Sequence, residues 1–391
     1  MARDGDYFPP AHDWERREPE AVGMDSGLIR RAIELHRLHE TKRYPRGDMR
    51  QAHLSQLAGE PHNELIGPFK DRGGINGLIL RHGYIVAEWG DTRRVDMTFS
   101  VTKSYLSAVA GLAYDRGLIR SVHERVADVV QDGGFDSEHN RKITWHHLLN
   151  QTSHWEGVLW GKPDWADRAA GPEAERQRPR HEPGEVWQYN DVRVNRLALA
   201  LLEVWRRPLP QVLREHLMDP IGASPAWRWY GYENSWVTID GLQVQSVSGG
   251  GHWGGGMWIS TRDHARFGYL LLRNGRWGDR KILSEEWLKL CLTPVAGRAP
   301  TAQETAAWSD LRSNAGPMPA GRQFNYGYMN FFLNTGRRLL PQAPEASHFH
   351  SGAGCNFIWV DPVHDLVVVL RWLERDHLDD FLGLIVRSVK D

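Results

Sequence analysis

Strand-like runs stand near both ends of this 391-residue chain, and helical spacing fills the middle. "GLILRHGYIVAEWG" (77–90) reads as two short strands around a His82–Gly83 turn. "CNFIWVDPVHDLVVVLRW" (355–372) reads as two more, split by Asp361–Pro362 and followed by a C-terminal helix. From about 118 to 245 the apolar spacing is mainly helical, as in "NRLALALLEVWRR". A chain that begins and ends in strands pairs them best in one sheet. The expected architecture is therefore α/β (α+β): a sheet domain from residues 1–99 and 246–391, with a mainly helical domain of residues 100–245 inserted.

Composition excludes several classes. Hydrophobic residues make up 41% and charged residues 25%, a globular balance. With 48 basic and 49 acidic side chains the net charge is -1, so no basic field recruits nucleic acid or an anionic membrane. The first twenty residues lack the apolar core of a secretory signal, and no apolar run reaches the roughly 18 residues of a membrane span. A soluble, cytoplasmic protein is expected. Cys291 and Cys355 form neither a disulfide framework nor a metal-ligand pattern. The 18 tryptophans, many between Trp145 and Trp258, suit either a large core or an aromatic-lined cleft.

Chemistry enters in "TFSVTKSYLSAVAGLAYDRG" (98–117). A helix beginning near Ser100 puts the Ser100 hydroxyl and the Lys103 ammonium one turn apart on the same face. A buried lysine is a poor choice for packing but a good one for taking a serine proton. In "PGEVWQYNDVRVNRLALALLE", Tyr189 stands at a loop–helix junction, where a phenol beside an ammonium can serve as base. Asn190 and Asp191 there also suit a helix cap. In "HFHSGAGCNFIWVDP", His350, Ser351 and Gly352 lead into a strand. The N–H groups of Ser100 and Ala353 could together hold a tetrahedral oxyanion. The pairs His146–His147 and His348–His350 have no third metal ligand at a familiar spacing, and no H-E-x-x-H occurs.

Taken in order, Ser100-Val101-Thr102-Lys103, Tyr189-Asn190-Asp191 and His350-Ser351-Gly352 resemble the S-x-x-K, Y-x-N and H-x-G boxes of the serine beta-lactamase and penicillin-binding-protein family. The closest branch looks like its class C enzymes, esterases, D-aminopeptidases and amide-oligomer hydrolases. The gaps of 89 and 250 residues from Ser100 are similar to the family's, as are "ITWHHLLNQTSHWEG" and "GGGMWISTRDHARFGYLLL". The resemblance spans about residues 70–390. It implies a beta-lactamase/transpeptidase-like antiparallel sheet flanked by helices, with the active site where the helical domain meets it.

It further implies a serine hydrolase that cleaves a small ester or amide through a Ser100 acyl-enzyme, without metal or organic cofactor. Lys103 and Tyr189 act as general base and acid, in either order, and Ser100 and Ala353 form the oxyanion hole. Asp191, His350 and Gly352 border the substrate. Asp191 in place of Asn keeps Lys103 charged, which favours Tyr189 as base near neutrality. His350 in place of Lys weakens recognition of a beta-lactam carboxylate. The alternatives are a slowly acylating penicillin-binding or sensor-type protein, or a weak beta-lactamase.

Overall fold

The structure is a computed structural model that describes residues 7–11, 13–169, 171, 173, 175, 180–295, 325–337 and 339–390. Part of the polar leader and of the Pro- and Gly-rich stretch before Tyr189 lies outside these residues. Two helices come first, α1 (Ser26–Leu38) and α2 (Met49–Gln56), then β1 (Asn76–Arg81), β2 (Tyr84–Trp89) and β3 (Asp96–Met97). The middle carries α3 (Thr102–Asp115), α4 (Asp191–Trp205), β4 (Arg228–Ile239) and β5 (Leu242–Val247). Then follow β6 (Gly256–Ile259), α5 (Thr261–Leu272), β7 (Phe332–Leu333) and β8 (His348–Gly352). The chain closes with β9 (Asn356–Asp361), β10 (Leu366–Arg371) and α6 (Leu378–Ser388).

The two ends do share one sheet. Its six strands run β7-β8-β9-β10-β1-β2, and every neighbouring pair is antiparallel. His82 (φ 54°) and Gly83 (φ 86°) both take left-handed backbone in the tight β1–β2 turn, which suits the right-handed twist of its strands. The run "LVVVLR" of β10 is unbroken rather than alternating because both faces of the sheet are covered. Val367 and Val369 enter the core that holds Ala265 and Phe267 of α5. Leu366, Val368 and Leu370 enter a second core with Ile29 of α1 and with Phe381 and Ile385 of α6.

One departure lies in the middle. Residues 228–247, expected within the helical stretch, form the β4–β5 hairpin. Its turn is Asp240 (φ 49°) and Gly241 (φ 80°), the Asp-Gly pair that two-residue hairpins favour. β4 also pairs with β6, and β6 with β3, in a second sheet ordered β3-β6-β4-β5. Arg371, fully buried at the end of β10, ties the two sheets together. Its Nη1 donates to Met97 O (3.1 Å) and Asn356 Oδ1 (2.6 Å), and its Nη2 to Ile259 O (2.7 Å). Among the described residues no helix is long and apolar enough to cross a membrane.

Candidate active site

β3 delivers the chain to Ser100. Thr98 N donates to Met257 O (3.0 Å), and Met257 N donates to Thr102 Oγ1 (3.0 Å), so β6 grips the turn on both sides of the serine. Phe99 is held at φ 47°, a strained conformation for a bulky residue. A 3-10 turn, Phe99–Val101, carries Ser100 into α3, which therefore starts at Thr102. Residues Thr102 to Ala113 of that helix are all buried. Lys103 has no exposed surface, and its Nζ lies 3.1 Å from Ser100 Oγ and 2.7 Å from Asp191 Oδ1. Sequence and structure agree on the juxtaposition of Ser100 and Lys103.

The tyrosine motif divides its labour residue by residue. Asn190 is the helix cap, its side chain accepting from Arg193 N at 2.9 Å. Asp191 is left for the buried ion pair with Lys103. The half-buried Tyr189 ring has Lys103 Nζ 4.6 Å from its centroid, and Ser100 lies near enough to its phenol to lower the phenol pKa. Gly250 closes the arrangement from β5's exit loop. A Cβ there would collide with Asp191 Oδ1 and Lys103 Nζ, so only glycine fits beside the pair.

Burial governs the charges. It pushes the Lys103 pKa down, and although Asp191 opposes this, the net direction is downward. Burial alone would raise Asp191, but Lys103 and Arg168 outweigh it and hold the carboxyl well below its usual range. Burial and then Asp191 push the Tyr189 phenol well above its usual value. Asp191 favours the ammonium as expected, but the net directions run against Tyr189 as the better base near neutrality. The amine is the group made easier to deprotonate, and the phenol keeps its proton.

The third motif is split. Gly352 packs on the nucleophile turn: a Cβ there would strike Thr98 O and come within 3.2 Å of Ser100 N. Ala353 lines the pocket with Ser100. His350, expected at the substrate, is instead fully buried behind α3. Its Nδ1 lies 2.9 Å from Ser104 Oγ and its ring packs edge-on against Phe331 at 4.5 Å. Burial holds its pKa well below the usual value, so it is neutral there.

The pocket at Ser100 has a volume of about 170 Å³. Much of its wall comes from the polar N-terminal stretch, which carries no motif: Arg43, Tyr44, His53, Gln56, Leu57 and Glu60. His53 is fixed there by Tyr44 OH at Nδ1 (3.2 Å) and His252 O at Nε2 (2.7 Å). Among the described residues no tryptophan lines this pocket. Trp145, Trp227, Trp253, Trp287, Trp359 and Trp372 are fully buried, which assigns much of the tryptophan excess to the core.

A buried charge cluster adjoins the pocket. His252 Nε2 lies 2.8 Å from Glu60 Oε2 and 3.2 Å from Asp167 Oδ1. Among the described residues these three are a set whose donor atoms could converge on a metal ion. Arg168 also donates to Asp167, and the two carboxylates, against the effect of burial, push the His252 pKa up. The cluster therefore carries its own countercharges. None of Glu60, Asp167, Arg168 and His252 announces itself in the sequence.

Comparison with known proteins gives a family and a shared fold. Residues 62–377 match the model of a family described as Beta-lactamase. No curated protein matches the chain. Similar solved structures include EstCE1, described as a hydrolase with promiscuous acyltransferase activity (16% identity, TM-score 0.56, covering 94% of this chain and 100% of that one). A putative 6-aminohexanoate-dimer hydrolase from Bacillus anthracis is 15% identical, with a TM-score of 0.55 and coverage of 80% and 78%. A beta-lactamase/D-alanine carboxypeptidase from Yersinia pestis is 13% identical, with a TM-score of 0.52 and coverage of 94% and 100%. At these identities the likeness shows a shared fold.

Proposed function

The chain belongs to the beta-lactamase family, and from that premise we propose that it is a serine hydrolase cleaving a small ester or amide through a Ser100 acyl-enzyme. The observation that carries this reading is the 3.1 Å contact between Ser100 Oγ and Lys103 Nζ at a pocket wall. In its neutral form, which burial makes easier to reach, Lys103 takes the hydroxyl proton as Ser100 Oγ bonds to the carbonyl carbon. The N–H groups of Ser100 and Ala353 receive the oxyanion. The ammonium proton returns to the leaving oxygen or nitrogen, with the Tyr189 phenol relaying it, and the carbonyl re-forms as an ester on Ser100. Water then attacks that ester by the same steps in reverse order. The family neighbours described as hydrolases support this reaction class.

A neutral, buried His350 supplies no cation for a substrate carboxylate. With no cation at that position, short neutral esters are the expected substrates ahead of penicillins and cephalosporins, Arg43 and Arg168 remaining as cations at the pocket wall. A panel of p-nitrophenyl esters, amino-acid anilides, amide oligomers and a chromogenic cephalosporin tests this. The best ester should exceed the cephalosporin in kcat/KM, and Ser100→Ala should lower ester turnover at least about a thousandfold. Faster turnover of the cephalosporin would reject the ester preference, and full activity in Ser100→Ala would reject the mechanism.

A further inference from the structure

Lys103 shares the Tyr189 ring with a second cation. The Arg168 guanidinium carbon lies 4.8 Å from the ring centroid, against 4.6 Å for Lys103 Nζ. The same guanidinium approaches Asp191 Oδ2 with Nη1 at 3.2 Å and Nη2 at 3.3 Å, while Asp191 Oδ1 takes Lys103. Arg168 thus contacts both the carboxylate that partners the lysine and the phenol.

Its own place is built with some care by the fold. Arg168 is held at φ 58°, where a long side chain seldom sits. Asp167 accepts from Arg168 Nη1, and His252 joins Asp167 to Glu60 behind it. Carboxylates and cations alternate from Glu60 through His252, Asp167, Arg168 and Asp191 to Lys103, which ends beside Ser100. All six side chains are buried. Charges removed from water act on one another more strongly than at a surface.

We propose that Arg168 is a positioning residue of the proton-transfer set, holding Asp191 with its fork and placing a second positive charge over Tyr189. The inference rests on the serine-hydrolase reading of the same site. Among the described residues the groups that face Tyr189 are Ser100 from the 3-10 turn, Lys103 from the first turn of α3, Asp191 from α4, Asp167 and Arg168 from the chain before α4, and the Trp187 and Tyr326 rings at 6.1 and 6.5 Å. Of these, Asp191 and Asp167 disfavour the phenolate and Arg168 favours it. Arg168 also disfavours the ammonium form of Lys103. Removing its charge therefore moves both groups toward their protonated forms.

The test uses the full chain, a neutral ester (p-nitrophenyl butyrate) and an anionic one (mono-p-nitrophenyl succinate), from about pH 5 to 10. Arg168→Gln should lower kcat for the neutral ester about tenfold or more near neutrality, with KM little changed. Both limbs of its profile should move to higher pH, so that part of the activity returns under alkaline conditions. Arg168→Lys keeps the charge but loses the fork, so its limbs should stay in place while kcat falls severalfold. Unmoved limbs in Arg168→Gln would overturn the proposal. So would a rise in KM confined to the anionic ester, which would make Arg168 a ligand for substrate. Should Arg168→Gln fail to fold by circular dichroism, a folded Arg168→Lys with wild-type kcat would overturn it. Ser100→Ala separates the two levels: an active Ser100→Ala defeats the hydrolase reading, whereas an inactive one with unmoved Arg168→Gln limbs defeats only this inference.

Discussion

Asp191 is where single-residue chemistry is most open to test. It contacts Lys103 Nζ at 2.7 Å and raises both the lysine and the phenol pKa, against the downward effect of burial on the lysine. Asn at this position keeps the shape and removes the charge. With one negative charge gone, the ammonium is less favoured and the phenolate less opposed. Asp191→Asn should therefore move both limbs of the kcat/KM profile for a neutral ester to lower pH, by on the order of one unit. The sign is opposite to that expected for Arg168→Gln. Since Asn190, not Asp191, caps α4, lost capping would not account for such a shift. An unmoved profile would return Asp191 to a packing role. Ser100, Lys103 and Tyr189 were legible because a short motif fixes their spacing. Arg168 and Gly250 were not, because their places depend on loop backbone that no periodicity encodes. Asp191 acts on the lysine in the expected direction, raising its pKa, but the larger opposing effect of burial on Lys103 could not be read from a charge pattern.

At the scale of elements, α2 and the segment around it close one side of the pocket. Gln56 lines it, half-buried, and Arg43 Nε donates to its Oε1. Gln56→Trp should fill part of the roughly 170 Å³ and exclude longer acyl chains. The expected result is a fall of about tenfold in kcat/KM for a hexanoate ester relative to acetate, with pH limbs unchanged. Equal effects on both esters would remove α2 from substrate selection. α2 has no apolar periodicity: "MRQAHLSQ" is polar and contributes Met49 and His53 to burial. The β4–β5 hairpin was missed for another reason. Its Asp240–Gly241 turn is a strong hairpin signal, but it lies in a stretch whose apolar spacing suggests a helical period. β1, β2, β9 and β10 were legible because their apolar runs are short and bounded by turn residues, whereas β7 was not, and His350–Gly352, expected to lead into a strand, lie within β8.

For the molecule as a whole, the site depends on two sheets being held in fixed relation. Arg371 makes that join, reaching Met97 O just before the nucleophile turn and Ile259 O in β6. Arg371→Met would leave these buried carbonyls without their donor, at a cost of about 3 kcal/mol or more. The expected outcome is a lower chemical-denaturation midpoint together with reduced ester turnover in the folded protein, because β3 loses its anchor. A lower midpoint with wild-type turnover would show that β6 alone sets the Ser100 turn. The pairing of the chain's two ends was visible in the sequence, whereas this cross-sheet tie was not, since a lone arginine in "LVVVLRW" carries no mark of its partners.

The central claim is that Ser100 becomes the acyl carrier. The most direct measurement is acid quenching of the full chain during turnover of p-nitrophenyl butyrate, followed by peptide mapping by mass spectrometry. A single butyryl group on the peptide containing Ser100, absent from Ser100→Ala, is the predicted result. A butyryl group mapped to another residue, with turnover surviving in Ser100→Ala, would contradict it.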